Sequence, residues 1–192
     1  MFNFFKKATP DDTQLVVEWV LTRARQTFPD YFESTSEDER ARILRFEAIS
    51  VHMALALWYL KKRGADYAKL SQRVHDELFD RFDVSLREQG VSDVKVGREI
   101  KKFAAAFRGR LKSYDEAFDA MDVRLMGEGL SRNLVCSDTV AMGKAINYIA
   151  EAKRLSEMDK ENWLETLGDH SYWENLSTDN EIKGEFIHEG QQ

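Results

Sequence analysis

The chain has 192 residues, one cysteine and a formal net charge of −6; its length allows about 70% of the unfolded chain's surface to be buried, so neither metal nor cross-link is needed for folding. A lone thiol excludes an internal disulfide and fits a reducing compartment, and two prolines with ten glycines favour long helices over many short strands. Residues 151–192 hold eleven Asp/Glu against four Lys/Arg, or −7, leaving +1 on the other 150 residues; this balance argues against DNA binding.

The opening "MFNFFKKATPDD" does not read as a secretory signal, because its basic residues follow the apolar ones and no apolar core comes next. Asp11 and Asp12 argue against a transit peptide. Residues 1–9 read as a short apolar and basic segment able to touch a membrane interface. A helix starts with Thr9 as N-cap and Pro10 at the first position, shows Leu15, Trp19 and Thr22 or Arg23 on one face, and fades by Phe28-Pro29. A second begins near Ser36, with Glu39 as its capping-box partner, and stops at Gly64. Its apolar run "ISVHMALALWYL" is far short of the ~20 residues that span a bilayer and reads as a helix buried in protein. A third opens at Asp66 and carries Leu70, Val74, Leu78, Phe82 and Leu86 as a buried stripe.

Gly90 is placed to end that helix in the left-handed conformation, with Val91 making the accompanying apolar contact and Ser92 or Asp93 capping a fourth helix. In this fourth helix Val96, Ile100, Phe103, Phe107, Leu111 and Tyr114 fall within an arc of ~80°. Lys95, Arg98, Lys101, Lys102, Arg108 and Lys112 fall on the opposite side. A solvated surface explains such a face; so does docking to something anionic, such as acidic lipid heads, ribosomal RNA or an acidic partner. Arg110 lies on the flank of the apolar stripe and therefore predicts pairing with a carboxylate from another helix, Glu47 or Asp83. Gly109 has no propensity reason to be there and predicts close approach of a neighbouring helix.

The helical pattern continues or restarts to about Met126, where Gly127 and Gly129 break it, and "LSRNLV" is a connection. Ser137 caps a helix to about Leu155, and Asp159 a short one to Leu167. Residues 169–192 are polar, acidic and aperiodic, and read as a flexible tail that could compete for the basic face. The fold expected is all-α: one compact domain of about six to seven helices over 10–168, with a less ordered acidic tail.

Little in this pattern suggests catalysis. His52 sits in the apolar run and reads as a neutral core imidazole; His75 reads as a surface residue. A di-iron bundle needs two Glu-x-x-His motifs, and the sequence has one such spacing, Glu185 with His188, near the C-terminus. Cys136 has no histidine nearby in sequence, and no glycine-rich phosphate loop occurs. No catalytic residue, metal or cofactor is assigned.

"FDRFDVSLREQGVSDVKVGREIKKFAAAFRGRLKSYDEAF", residues 79–118, resembles the ubiquinol–cytochrome c chaperone family. The matching positions include Leu86, Arg87, Glu88, Gly90, Val91, Asp93, Lys101, Lys102, Ala106, Phe107, Gly109, Arg110 and Tyr114. Upstream, Arg45, Phe46, Glu47, His52 and Leu55 resemble the family's Arg-Phe-Glu…His-x-x-Leu segment; downstream, Leu130-Ser131-Arg132-Asn133 resembles its Leu-x-Arg-Asn end. The resemblance covers about residues 13–135, and Arg108 departs from it, standing where the family has Tyr. It implies a non-enzymatic assembly factor of respiratory complex III that binds newly made cytochrome b or another membrane-protein client, near the ribosome or an anionic membrane surface. Without a targeting segment, a bacterial-type member on the cytoplasmic face of the inner membrane is expected, with no partner subunit assigned. The alternative, of another class, is a membrane-surface helical protein that binds lipid or another small hydrophobic ligand.

Overall fold

A computed structural model describes residues 10–33, 39–134 and 136–158. Seven α-helices lie in this part: α1 (Pro10–Thr27), α2 (Pro29–Glu33), α3 (Glu39–Lys62), α4 (Ala68–Glu88), α5 (Asp93–Ala120), α6 (Val123–Asn133) and α7 (Asp138–Glu157). No strand occurs among the described residues. The features expected at Thr9, Ser36, 159–167 and 169–192 lie outside them.

α3 is the central element and packs against α1, α2, α4, α5 and α7. Between its charged ends it is largely apolar all round, the pattern of a helix enclosed by protein, and every residue from Phe46 to Ala56 is buried. By length and composition alone α3 could cross a membrane, but 78% of its most apolar stretch is buried inside the bundle. Gly64, at φ 99°, follows the helix as expected.

α1 turns Val16, Val17, Val20 and Ala24 inward together with Trp19, whereas Leu15 is 40% exposed, so the buried stripe sits one residue further along than the sequence pattern suggested. α2 was not anticipated: Pro29 ends α1 and at the same time opens a new turn, because its missing N–H costs nothing at a first helical position. α4 starts after a 3-10 turn (Ala65–Tyr67), with Tyr67 rather than Asp66 at its N-cap position. Its buried stripe is Leu70, Val74, Leu78, Phe79 and Leu86; Phe82 is half-buried.

The corner between α4 and α5 closes with a Schellman pair. Gly90 N–H donates to Arg87 O at 2.9 Å and Val91 N–H to Leu86 O at 3.1 Å, with Gly90 at φ 76°. Ser92 holds the N-cap position of α5, but its side chain makes no capping bond. The same two bonds end α5: Met121 N–H to Phe118 O at 3.2 Å and Asp122 N–H to Ala117 O at 3.0 Å, with Met121 in the left-handed region at φ 50°. The Asp122 carboxylate then caps α6, accepting from Arg124 N–H at 2.8 Å and Leu125 N–H at 3.0 Å.

Gly127 and Gly129 do not break this helix; they lie inside it, and "LSRN" is its last turn. A Cβ at Gly127 would sit 3.1 Å from Met142 Cε, and one at Gly129 3.1 Å from Tyr114 Cε1. The two glycines let α6 approach α7 and α5. Ser137 caps α7 as expected, its hydroxyl accepting from Val140 N–H at 3.3 Å.

Candidate functional site

α5 is two-sided. Val96, Phe103, Phe107 and Tyr114 are buried, with Ile100 and Leu111 half-buried beside them. Lys95, Arg98, Lys101, Lys102, Arg108 and Lys112 are all exposed on the outer side. Lys102 bonds Glu99 at 2.8 Å, and Lys112 lies 4.0 Å from Glu116. Lys95, Arg98, Lys101 and Arg108 have no ion-pair partner among the described residues. The outer face therefore presents a row of cations with little neutralisation.

The inner side meets α3 along a line of matched groups. Phe46 stacks on Phe103 with ring centroids 4.5 Å apart. About two turns further along α5, and at the next residue of α3, the guanidinium of Arg110 clasps the carboxylate of Glu47: Nε donates to Oε2 at 2.5 Å, Nη2 donates to Oε1, and Nη1 donates to Ala106 O at 3.0 Å. Glu47 is buried and Arg110 half-buried. Burial pushes the Glu47 carboxyl up and the two bonds from Arg110 pull it down; burial is the stronger effect. Towards the far ends of both helices, Trp58 Nε1 donates to Asp119 at 2.8 Å, and Lys61 and Lys62 reach Asp115 and Asp119 at 2.6 and 2.7 Å. The early part of α3 meets the early part of α5 and the late part meets the late part, so the two helices run side by side in one direction.

Glu47 and Arg110 are brought together as the flank position of Arg110 required. Asp83 is not its partner: it takes Arg87 at 2.5 Å, four residues on along the same helix, and Arg87 also donates to Asp93 across the corner. Gly109 is exposed, and a Cβ there would meet nothing within 4 Å. Close approach does not explain it. Phe107 packs against Phe79 with centroids 6.0 Å apart, and Tyr114 OH accepts from Asn133 Nδ2 at 3.2 Å.

His52 is fully buried. Its Nδ1 lies 2.8 Å from Ala48 O, and its Nε2 lies 3.1 Å from Thr27 Oγ1 and 3.2 Å from Tyr148 OH. Burial holds the ring neutral, with its pKa pushed down to about 3. The neutral tautomer that fits donates from Nδ1 and accepts at Nε2. This arrangement ties α3 to α1 and α7 and leaves the ring no solvent access. His75 stacks on Phe79 at 4.6 Å and is half-exposed. Glu185 and His188 lie outside the described residues.

One feature is only partly visible in the linear pattern. A cavity of about 320 Å³ opens between α1, α3, α4 and α5. Phe46, Phe82 and Phe103 line it and lie against one another, at 5.7 Å for Phe46–Phe82 and 5.9 Å for Phe82–Phe103. Arg25, Arg42, Arg45 and Arg81 also line it, and no acidic residue does among the described ones. Arg42, Arg45 and Ile49 are spaced by three and four residues, so that side was readable as one helix face. Arg25 and Arg81 come from other helices, and only the packing brings them here.

The family described as ubiquinol–cytochrome C chaperone matches residues 44–167, well over half of the chain. The chain belongs to this family. The match starts later than the resemblance read from the sequence and runs further, leaving out α1 and taking in α7. A crystal structure of the Cbp3 homolog from Brucella abortus is similar at 29% identity and a TM-score of 0.65, over 83% of this chain and 87% of that one. No curated protein matches the chain. Family membership makes this an assembly chaperone of the ubiquinol–cytochrome c system, and within the matched region lie the Glu47–Arg110 clasp, the α4–α5 corner and the outer face of α5.

Proposed function

We propose that the chain holds newly made cytochrome b during assembly of ubiquinol–cytochrome c reductase, and that it works without catalysis. The outer face of α5 docks it on an anionic surface, lipid or ribosomal, on the cytoplasmic side of the membrane. Family membership supports the client. The docking role is carried by one observation: Lys95, Arg98, Lys101 and Arg108 are exposed together with no acidic partner among the described residues. Each cation near an anionic bilayer contributes about 1 kcal/mol, screened over a Debye length of roughly 8 Å at physiological salt. Four acting together contribute about 4 kcal/mol, a reversible and salt-sensitive attraction to such a surface.

The test is capture from translating membranes, comparing the wild-type chain with Arg98, Lys101 and Lys102 all changed to Glu. Cytochrome b should co-purify with the wild type. The variant should lose sedimentation with ribosomes or anionic vesicles at low salt while melting at the wild-type temperature. Equal sedimentation by both would leave the face as ordinary solvated surface. Absence of cytochrome b from the wild-type capture would remove the client.

A further inference from the structure

We infer that the arginine-rimmed cavity between α1, α3, α4 and α5 binds an acidic phospholipid, with one acyl chain against the phenylalanine floor and the phosphate among the guanidinium groups. This goes beyond the client reading and does not depend on it.

The cavity of about 320 Å³ has a mainly apolar lining that suits a flexible alkyl chain. The floor is suited to that chain: Phe46 and Phe103 are buried, and the edge of Phe82 completes an apolar surface with Leu78 and Ile49.

Charge then selects the head. Four guanidinium groups, from three helices, line one small space. Arg81 is held by Glu18 at 2.8 Å and Glu77 at 3.0 Å, neither of which lines the cavity. Arg45 donates from Nε to Tyr31 O at 3.0 Å, which fixes its head at the rim. Arg25 lies 5.7 Å from the Phe32 ring and is exposed. Arginine forks match phosphate oxygens in pairs, and an apolar floor beneath a cationic rim is the complement of an amphiphile with an anionic head. A zwitterionic head places a choline among these groups and is disfavoured. Free phosphate would find the rim but leave the floor unfilled.

The probes are lysophosphatidic acids of eight, ten and twelve carbons, lysophosphatidylcholine of the same lengths and inorganic phosphate, titrated below micelle formation against the full chain. Lysophosphatidic acid should bind, each added methylene tightening it by roughly threefold until the cavity is filled. Lysophosphatidylcholine should bind at least tenfold more weakly, and inorganic phosphate should not compete at matched concentration. Ser85 is exposed and lines the mouth. Ser85→Trp should block entry, and Arg25→Gln should weaken binding about fivefold, both at unchanged melting temperature. The α5 variant with Arg98, Lys101 and Lys102 changed to Glu should bind the lysolipid as the wild type does. Unchanged binding by Ser85→Trp, or loss in the α5 variant instead, would move the site out of the cavity and overturn the inference without touching the client reading. Equal affinity for phosphate and lysolipid, or binding of an acidic phenylalanine-containing peptide but not of lysolipid, would overturn it too.

Discussion

α3 and α5 lie side by side but meet water in opposite ways. From Phe46 to Ala56, α3 is enclosed on every side, and three of its polar residues, Glu47, Ser50 and His52, are buried with it. α5 is enclosed along one stripe and keeps its lysines outside. A polar group on an enclosed helix has only protein to pair with, and desolvation without a hydrogen bond is costly; Glu47 and His52 find partners, whereas the Ser50 hydroxyl has none among the described residues. On a two-sided helix water is the partner, and substitution there is cheap. The same chemical change should therefore cost a great deal at Glu47 and almost nothing at Lys101.

The largest effect is expected at the clasp between the two helices. Arg110→Ala leaves the Glu47 carboxylate buried without its cation and should cost on the order of 3–5 kcal/mol in denaturant unfolding. The double change Glu47→Leu with Arg110→Met should recover most of that loss, because a buried ion pair replaced by apolar groups of similar size is close to neutral. Lys101→Ala on the outer side should stay within about 0.5 kcal/mol of the wild type. If Arg110→Ala and Lys101→Ala unfold together, the contrast between the enclosed seam of α3 with α5 and the outer side of α5 fails.

The enclosed helix should also be the acid-sensitive one. The pKa of His52 falls from 6.5 to about 3 on folding, so the unfolded chain takes up a proton that the folded chain refuses. Its contribution to stability is complete above pH 6.5 and is lost as pH falls toward 3, at up to ~1.4 kcal/mol per pH unit. Glu47 has the opposite sign: its raised pKa gives stability present at low pH and lost as pH rises through the folded value. It cannot imitate the His52 loss. Unfolding curves at pH 7.5, 6.5 and 5.5 should show the decline, and His52→Gln should flatten it; an equal slope in both would assign the decline to other groups.

How much of this was legible in the sequence depends on the distance over which each cause acts. The split of α5 and the stop at Gly90 rest on residues within a few turns, and both were readable. Arg110 was readable as a residue in need of a carboxylate. The choice between Glu47 and Asp83 was not, because Asp83 is taken by Arg87 on its own helix. Gly127 and Gly129 were misread as breakers because helix propensity is local, whereas the contacts that favour glycine there, with Met142 and Tyr114, come from other helices. The cavity as a whole was illegible for the same reason: its arginines are brought together only by the packing of α1, α3 and α4.

A smaller effect is expected at Gly129. Ala there gains helix propensity of about 1 kcal/mol but places a methyl 3.1 Å from the fixed ring of the buried Tyr114. Overpacking costs typically 1–3 kcal/mol, so a net loss near 1 kcal/mol should appear in thermal melts. A net gain would show that α5 and α6 have room to separate.

Gly109 is the counterpart, and the smallest change with a definite sign. It lies on the exposed part of α5, inside a helix of 28 residues, and a Cβ there would meet nothing within 4 Å. Its φ is not among the positive values found at Gly64 and Gly90, so alanine fits the backbone without strain. Neither crowding nor conformation requires glycine. Alanine should then reduce the freedom of the unfolded chain and raise stability by about 0.5–1 kcal/mol. The folded protein alone supports that gain, since its packing leaves the position open. A loss on Gly109→Ala in the isolated chain would mean that α5 bends or moves at this point. A gain in stability together with weaker capture of a client or anionic surface would instead place Gly109 where something outside the chain comes close, and the reason for the residue would lie in the complex rather than in the fold.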